Sequence, residues 1–128
     1  MPDEPRARST PESRAQTRPA AAPQPLLSTL RADPDMAELI QLFVDELPER
    51  VRTLQDYWSR GELSELKRVA HQLKGASGGY GFAPVGLAAG ELEHRLVDIA
   101  ARATETDLKD IAARVERLIR TCERVRTT

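Results

Sequence analysis

The stretch His71-Gln72-Leu73-Lys74-Gly75-Ala76-Ser77-Gly78-Gly79-Tyr80-Gly81-Phe82 concentrates the residues that could do chemistry. An imidazole can serve as a nucleophile or a proton carrier near neutral pH. Lys67 stands four residues before His71 and Lys74 three after, and on a helix both spacings reach one surface. Two ammonium groups beside the ring disfavour its cationic form and favour an added anion. Gly75 leaves the ring uncovered on its C-terminal side. Glycine within a helix costs about 1 kcal/mol relative to alanine, and access for a docking partner is a sufficient reason for it. On the residues alone, a histidine that is simply one more polar surface group stands beside this reading.

The element that must position His71 is an amphipathic helix from about Glu62 to Gly79, with Leu63, Leu66, Val69, Ala70, Leu73 and Ala76 on its apolar stripe. With Leu66 as origin and ~100° per residue, the stripe centres near ~330° and His71 falls near ~140°, outside it. Lys67, Lys74, Gly75 and Gly78 share the outer side with His71. In an antiparallel hairpin, residues equidistant from the turn lie side by side. His71 and Glu93 are equidistant from Phe82, so Glu93 is placed to accept a hydrogen bond from one ring nitrogen, fixing the tautomer and raising the nucleophilicity of the other. Because His71 lies nearly opposite its own stripe, that contact requires rotated helices or extended side chains. A solvated carboxylate is the plainer alternative for Glu93. The same rule sets Gly78 opposite Gly86 and Lys74 opposite Gly90, small residues that permit close helix approach.

From Leu26 onward the apolar period is helical throughout, and no segment alternates long enough to argue a strand. Asp33 followed by Pro34 reads as an N-cap with proline in the first turn. The stripe Met36, Leu39, Ile40, Phe43, Val44, Leu47, Val51, Leu54 and Trp58 resumes in phase after Pro48, which predicts one kinked helix ending at Gly61. Gly78, Gly79 and Gly81 stop the His71 helix, and Pro84 opens the next, carrying Val85, Ala88, Ala89, Leu92, Leu96 and Ile99. A last helix starts near Thr104, with Leu108, Ile111, Ala112, Val115, Leu118, Ile119 and Cys122 inward. The predicted fold is all-α: an antiparallel four-helix bundle with a short additional N-terminal helix near Leu27 to Leu30 covering one end.

Residues 1–25 hold six of the nine prolines and otherwise mostly Ala, Arg, Ser and Thr. Such a leader cannot bury enough apolar area to offset its ordering entropy and is expected to be disordered, leaving residues 26–128 as the folded domain. The 128-residue chain carries a net charge of −1 and 4% aromatics, which argues against nucleic-acid binding. No apolar run approaches the ~18 residues of a membrane span, and the N-terminus lacks the apolar core of an export signal. With one cysteine and no such signal, a cytoplasmic location and a structural or incidental Cys122 are expected. His71 and His94 are the only histidines and lack the carboxylate spacing of a bundle metal site, so no metal is expected. No GxxxxGK[ST] loop, glycine-rich lid or acidic Mg²⁺ cluster is present, which argues against an autonomous kinase. A non-catalytic helical adaptor remains a rival.

The motif His-x-Leu-Lys-Gly-x-Ser, then Gly81-Phe82, then Leu92-Glu93, together with Leu39-Ile40-Gln41-Leu42-Phe43 and Leu47-Pro48 upstream, resembles histidine-containing phosphotransfer (HPt) domains over about Leu26 to Arg124. The resemblance implies that His71 accepts a phosphoryl group from a receiver-domain aspartate and passes it to another receiver in a two-component phosphorelay. It implies that Lys74, with Lys67, offsets phosphate charge. Gly75, Gly78 and Ser77 would give partner access and local packing, Gly81 would serve the turn, and Glu93 would orient the histidine. Such a carrier is not an enzyme in its own right and holds no cofactor, the partner receiver supplying Mg²⁺. Its partners would be receiver domains of hybrid histidine kinases and response regulators, and a monomer is expected.

Overall fold

In a computed structural model, residues 24–99 and 102–128 are described. Apart from Gln24 and Pro25, the proline-rich leader lies outside the described residues. Four helices follow one another: α1 (Ala37–Arg60), α2 (Leu63–Gly79), α3 (Ala83–Ile99) and α4 (Glu105–Glu123). Each packs on its sequence neighbour and α4 closes the ring against α1. Short connections force antiparallel neighbours, so the apolar stripes converge on one core. Leu54, Leu66, Ala70, Leu73, Phe82, Val85, Ala89, Leu92, Ile111 and Leu118 are fully enclosed. Phe43 of α1 stacks on Phe82 at 5.4 Å and lies 5.3 Å from Tyr80, fastening α1 to the α2–α3 turn.

The helix ends follow from local chemistry. Gly61 (φ 72°) and Gly81 (φ 84°) are the left-handed residues after α1 and α2. Glu62 N–H donates to Tyr57 O at 3.0 Å and Gly61 N–H to Trp58 O at 3.1 Å; Phe82 N–H donates to Ser77 O at 2.8 Å and Gly81 N–H to Gly78 O at 3.3 Å. Both are Schellman closures, which need a residue without a Cβ penalty at that φ. α4 starts after Thr104, where the sequence places it, and Thr104 caps it through a capping box with Asp107. Asp107 and Asp110 also receive Arg95 of α3 at 2.5 and 2.7 Å, joining the two helices.

Four expectations need correction. The additional N-terminal helix is absent from the described residues: Leu27 to Leu30 lie in irregular and turn conformation. Their polar groups are committed elsewhere. Leu26 forms a parallel bridge to Val125, donating to Arg124 O (2.8 Å) and accepting from Arg126 N–H (3.0 Å). Thr29 N–H donates to Gly81 O at 2.9 Å and Ser28 Oγ to Tyr80 O at 2.6 Å. The segment is a strap that ties the end of α4 to the α2–α3 turn. Second, α1 starts at Ala37 after tight turns, with Asp33 accepting from Asp35 N–H in the preceding loop and Met36 in the cap position. Third, Leu39 is 44% exposed, on the flank of α1 and outside the core. Fourth, Leu108 is 39% exposed in the first turn of α4. The single helix through Pro48 stands, with the proline on its exposed side.

Cys122 is buried, and desolvation, with Glu123 adding to it, pushes its thiol up to about 12. It is therefore a protonated core residue at neutral pH.

Candidate functional site

The α2–α3 hairpin carries every candidate site residue, and glycine sets how close its two helices come. A Cβ on Gly86 would stand 3.3 Å from the Lys74 backbone oxygen and 3.7 Å from Gly78 N. The mirror relation between Gly78 and Gly86 is thus realised as close backbone approach. This approach resolves the tension over His71: the ring sits on the outer surface, yet its Nδ1 lies 2.6 Å from Glu93 Oε2. The His71 side chain is 68% exposed, whereas that of Glu93 is only 18% exposed. Glu93 is therefore a partly covered carboxylate, and the plainer solvated reading of it fails.

The second Glu93 oxygen is also engaged. Lys74 Nζ lies 3.3 Å from Oε1, so one carboxylate holds both the imidazole and the ammonium. Burial pushes the Glu93 carboxyl up, but hydrogen bonds from His71 and Lys74 outweigh it and hold the group below its ordinary range. It is ionised at neutral pH. As acceptor it takes the proton side of the ring at Nδ1, which leaves Nε2 as the nitrogen free to act. From the sequence, Lys74 is expected to offset phosphate charge; its contact with Glu93 is foreshadowed only by the pairing of Lys74 with Gly90, one turn before Glu93.

Gly75 and Gly78 lie on the exposed side of α2, and a Cβ at either would meet open space. Lys67 is exposed one turn before His71 and is outside the Glu93 cluster, whose oxygens are taken by His71 and Lys74. Ser77 points inward instead: it is fully buried and its Oγ has no hydrogen-bond partner. It packs the interface, with its Cβ 3.7 Å from where a Gly86 Cβ would stand, and offers nothing to a partner. An unsatisfied buried hydroxyl costs about 1–3 kcal/mol. Ser77→Ala keeps the Cβ and removes that burden, so its urea midpoint is expected to rise, by the equivalent of about 1 kcal/mol. A fall in the midpoint would show that the hydroxyl is satisfied.

His94, the other histidine, is 80% exposed, with Nε2 3.6 Å from Asp98 Oδ2, too far for a hydrogen bond. Among the described residues no group of three His, Cys, Asp or Glu could hold a metal ion, and no helix is long and apolar enough to cross a membrane.

A family model, the Hpt domain, matches residues 38–128. Neither the curated proteins nor the solved structures contain a significant match. The matched region begins after the strap and takes in all of the His71–Glu93 cluster.

Proposed function

The chain belongs to the Hpt domain family, whose members carry phosphoryl groups in phosphorelays and interact with receiver domains, and from that premise we propose that His71 is the phosphoacceptor and Nε2 the atom phosphorylated. The observation that carries the reading is the 2.6 Å contact between Nδ1 and a partly covered, ionised carboxylate beneath an exposed ring. The Nε2 lone pair attacks phosphorus, the bond to the receiver's aspartate oxygen breaks, and its electron pair leaves with that carboxylate. Nδ1 keeps its proton throughout. The phosphorylated ring is then cationic, and Glu93 opposite Nδ1 stabilises it. Passing the group to a second receiver is the reverse sequence.

Phosphoryl transfer of this kind depends on positioning and charge stabilisation, with little covalent machinery. Lys74 and Lys67 supply positive charge on the His71 side. Gly75 and Gly78 admit the receiver, which brings the aspartate and its Mg²⁺. Exposed Leu87 (62%) lies in the shallow groove that also holds Lys74 and Glu93, and it supplies apolar area at the rim. The protein acts as a cytoplasmic, monomeric carrier between hybrid-kinase and response-regulator receivers, and makes no phosphohistidine from ATP by itself.

The test is incubation with phosphorylated receiver domains. Label is expected to move to this chain in an acid-labile, alkali-stable bond, and ATP alone is expected to label nothing. Receiver binding without any transfer would replace this reading with that of an adaptor.

A further inference from the structure

Gly90 lies in the interior of α3, where glycine is an unfavourable helix residue. Its Cα faces the Lys74 stem: a Cβ there would stand 3.3 Å from Lys74 Cδ, 3.9 Å from Cγ and 4.0 Å from Cε. The stem therefore lies in a notch on α3 that exists because residue 90 has no side chain. From that notch Nζ reaches Glu93 Oε1, one helical turn further along, at 3.3 Å. This is near the outer limit of a hydrogen bond. A small outward shift of the stem is enough to break it.

We propose that Gly90 is a positioning residue for phosphoryl transfer: it seats Lys74 against α3, so that the ammonium shares Glu93 with His71 and is held one turn from the reacting nitrogen. The proposal rests on the phosphoacceptor reading of His71 and assigns part of the site's preorganisation to a residue that touches neither phosphate nor receiver. Gly86 differs in kind. Its close neighbour is the Lys74 backbone oxygen, which cannot move without moving α2, so Gly86 sets helix spacing. The neighbour of Gly90 is a flexible side chain, which yields without disturbing the fold. A substitution at Gly90 thus displaces Lys74 selectively. The charged groups around Glu93 are His71 and Lys74 from α2; none of the other lysines or arginines is within hydrogen-bond distance of it among the described residues.

The experiment is a double-mutant cycle with Gly90→Ala and Lys74→Ala on the full chain. Transfer rate from a phosphorylated receiver and the carboxyl titration of Glu93 by carbon-13 NMR decide the proposal, and the thermal midpoint checks the fold. Gly90→Ala is expected to raise the thermal midpoint, alanine being the better helix former, while slowing transfer about two- to fivefold, the effect of losing one partly exposed charge contact. It is expected to move the Glu93 titration upward, as Lys74→Ala does. In the Lys74→Ala background, Gly90→Ala is expected to change neither the transfer rate nor the titration further. An unshifted Glu93 titration in Gly90→Ala, or additive effects of the two substitutions, would overturn the proposal. The titration needs no phosphate. If no receiver labels the parent chain, the phosphoacceptor reading fails by itself, and the cycle still decides whether Gly90 seats Lys74.

Discussion

His71→Gln is expected to abolish label transfer from phosphorylated receivers while leaving receiver binding and the thermal midpoint close to those of the parent chain. Glutamine can keep a polar contact with Glu93, but its amide nitrogen has no available lone pair to attack phosphorus, so transfer should fall below detection. The stability cost is small because the His71 side chain is 68% exposed, and exposed substitutions away from special features usually change stability by less than about 0.5 kcal/mol. His94→Gln is the built-in control. That ring is as accessible, but its near carboxylate, Asp98, stands 3.6 Å from Nε2 and does not engage Nδ1. Transfer by His94→Gln should match the parent. Label persisting on His71→Gln would sink the assignment, and a cooperative melt by circular dichroism confirms that any loss comes from the nucleophile and not from unfolding.

The largest stability effect is expected from Gly81→Ala. At φ 84° an L-residue carries a Cβ penalty of about 1–2 kcal/mol. A Cβ there would also overlap Ser28 Oγ and stand 3.0 Å from Thr29 Oγ1 and 3.1 Å from Leu30 Cγ. The strap cannot yield without loosening the Ser28–Tyr80 and Thr29–Gly81 hydrogen bonds. Overpacking of this kind typically adds about 1–3 kcal/mol, so the total is about 2–5 kcal/mol. Urea denaturation monitored by circular dichroism measures it. Ser28→Ala removes the overlapping atom, so the double variant should lose less than the sum of the two single losses. Transfer per folded molecule should hold, because residue 81 lies at the bundle end, three residues beyond Gly78. A Gly81→Ala chain within about 0.5 kcal/mol of the parent would mean that the strap does not press on this turn.

The two predictions separate what each level of structure contributes. The four helices were legible because each is written locally: apolar residues recur at three and four, and Gly61, Gly81 and Thr104 mark ends by their own backbone and capping chemistry. The geometry of the candidate site was legible to nearly the same depth. Exposure of His71 follows from its angle to the stripe of its own helix, and the Glu93 partnership follows from equal distance to the hairpin turn.

Other features depend on neighbours remote in the chain. Leu27 to Leu30 look helical in isolation, yet Thr29 N–H donates to Gly81 O, and Leu26 just before them pairs with Arg124 and Arg126 across the bundle end. Leu39 fits the stripe of α1 but sits at its edge, because α2 and α4 together cover only part of that helix. The family resemblance assigns Ser77 to partner access and packing, and the structure keeps only the packing, burying Ser77 against α3 at Gly86. Likewise, the Lys74 contact with Glu93 exists only because the notch at Gly90 seats its stem against α3. Periodicity and turn chemistry thus determined the helices, their order and the exposure of His71, because these arise from interactions within a few residues. The sharing of one carboxylate between His71 and Lys74, and the strap that closes the bundle, were decided only by the tertiary structure, because they depend on helix separation and backbone pairing between segments far apart in the chain.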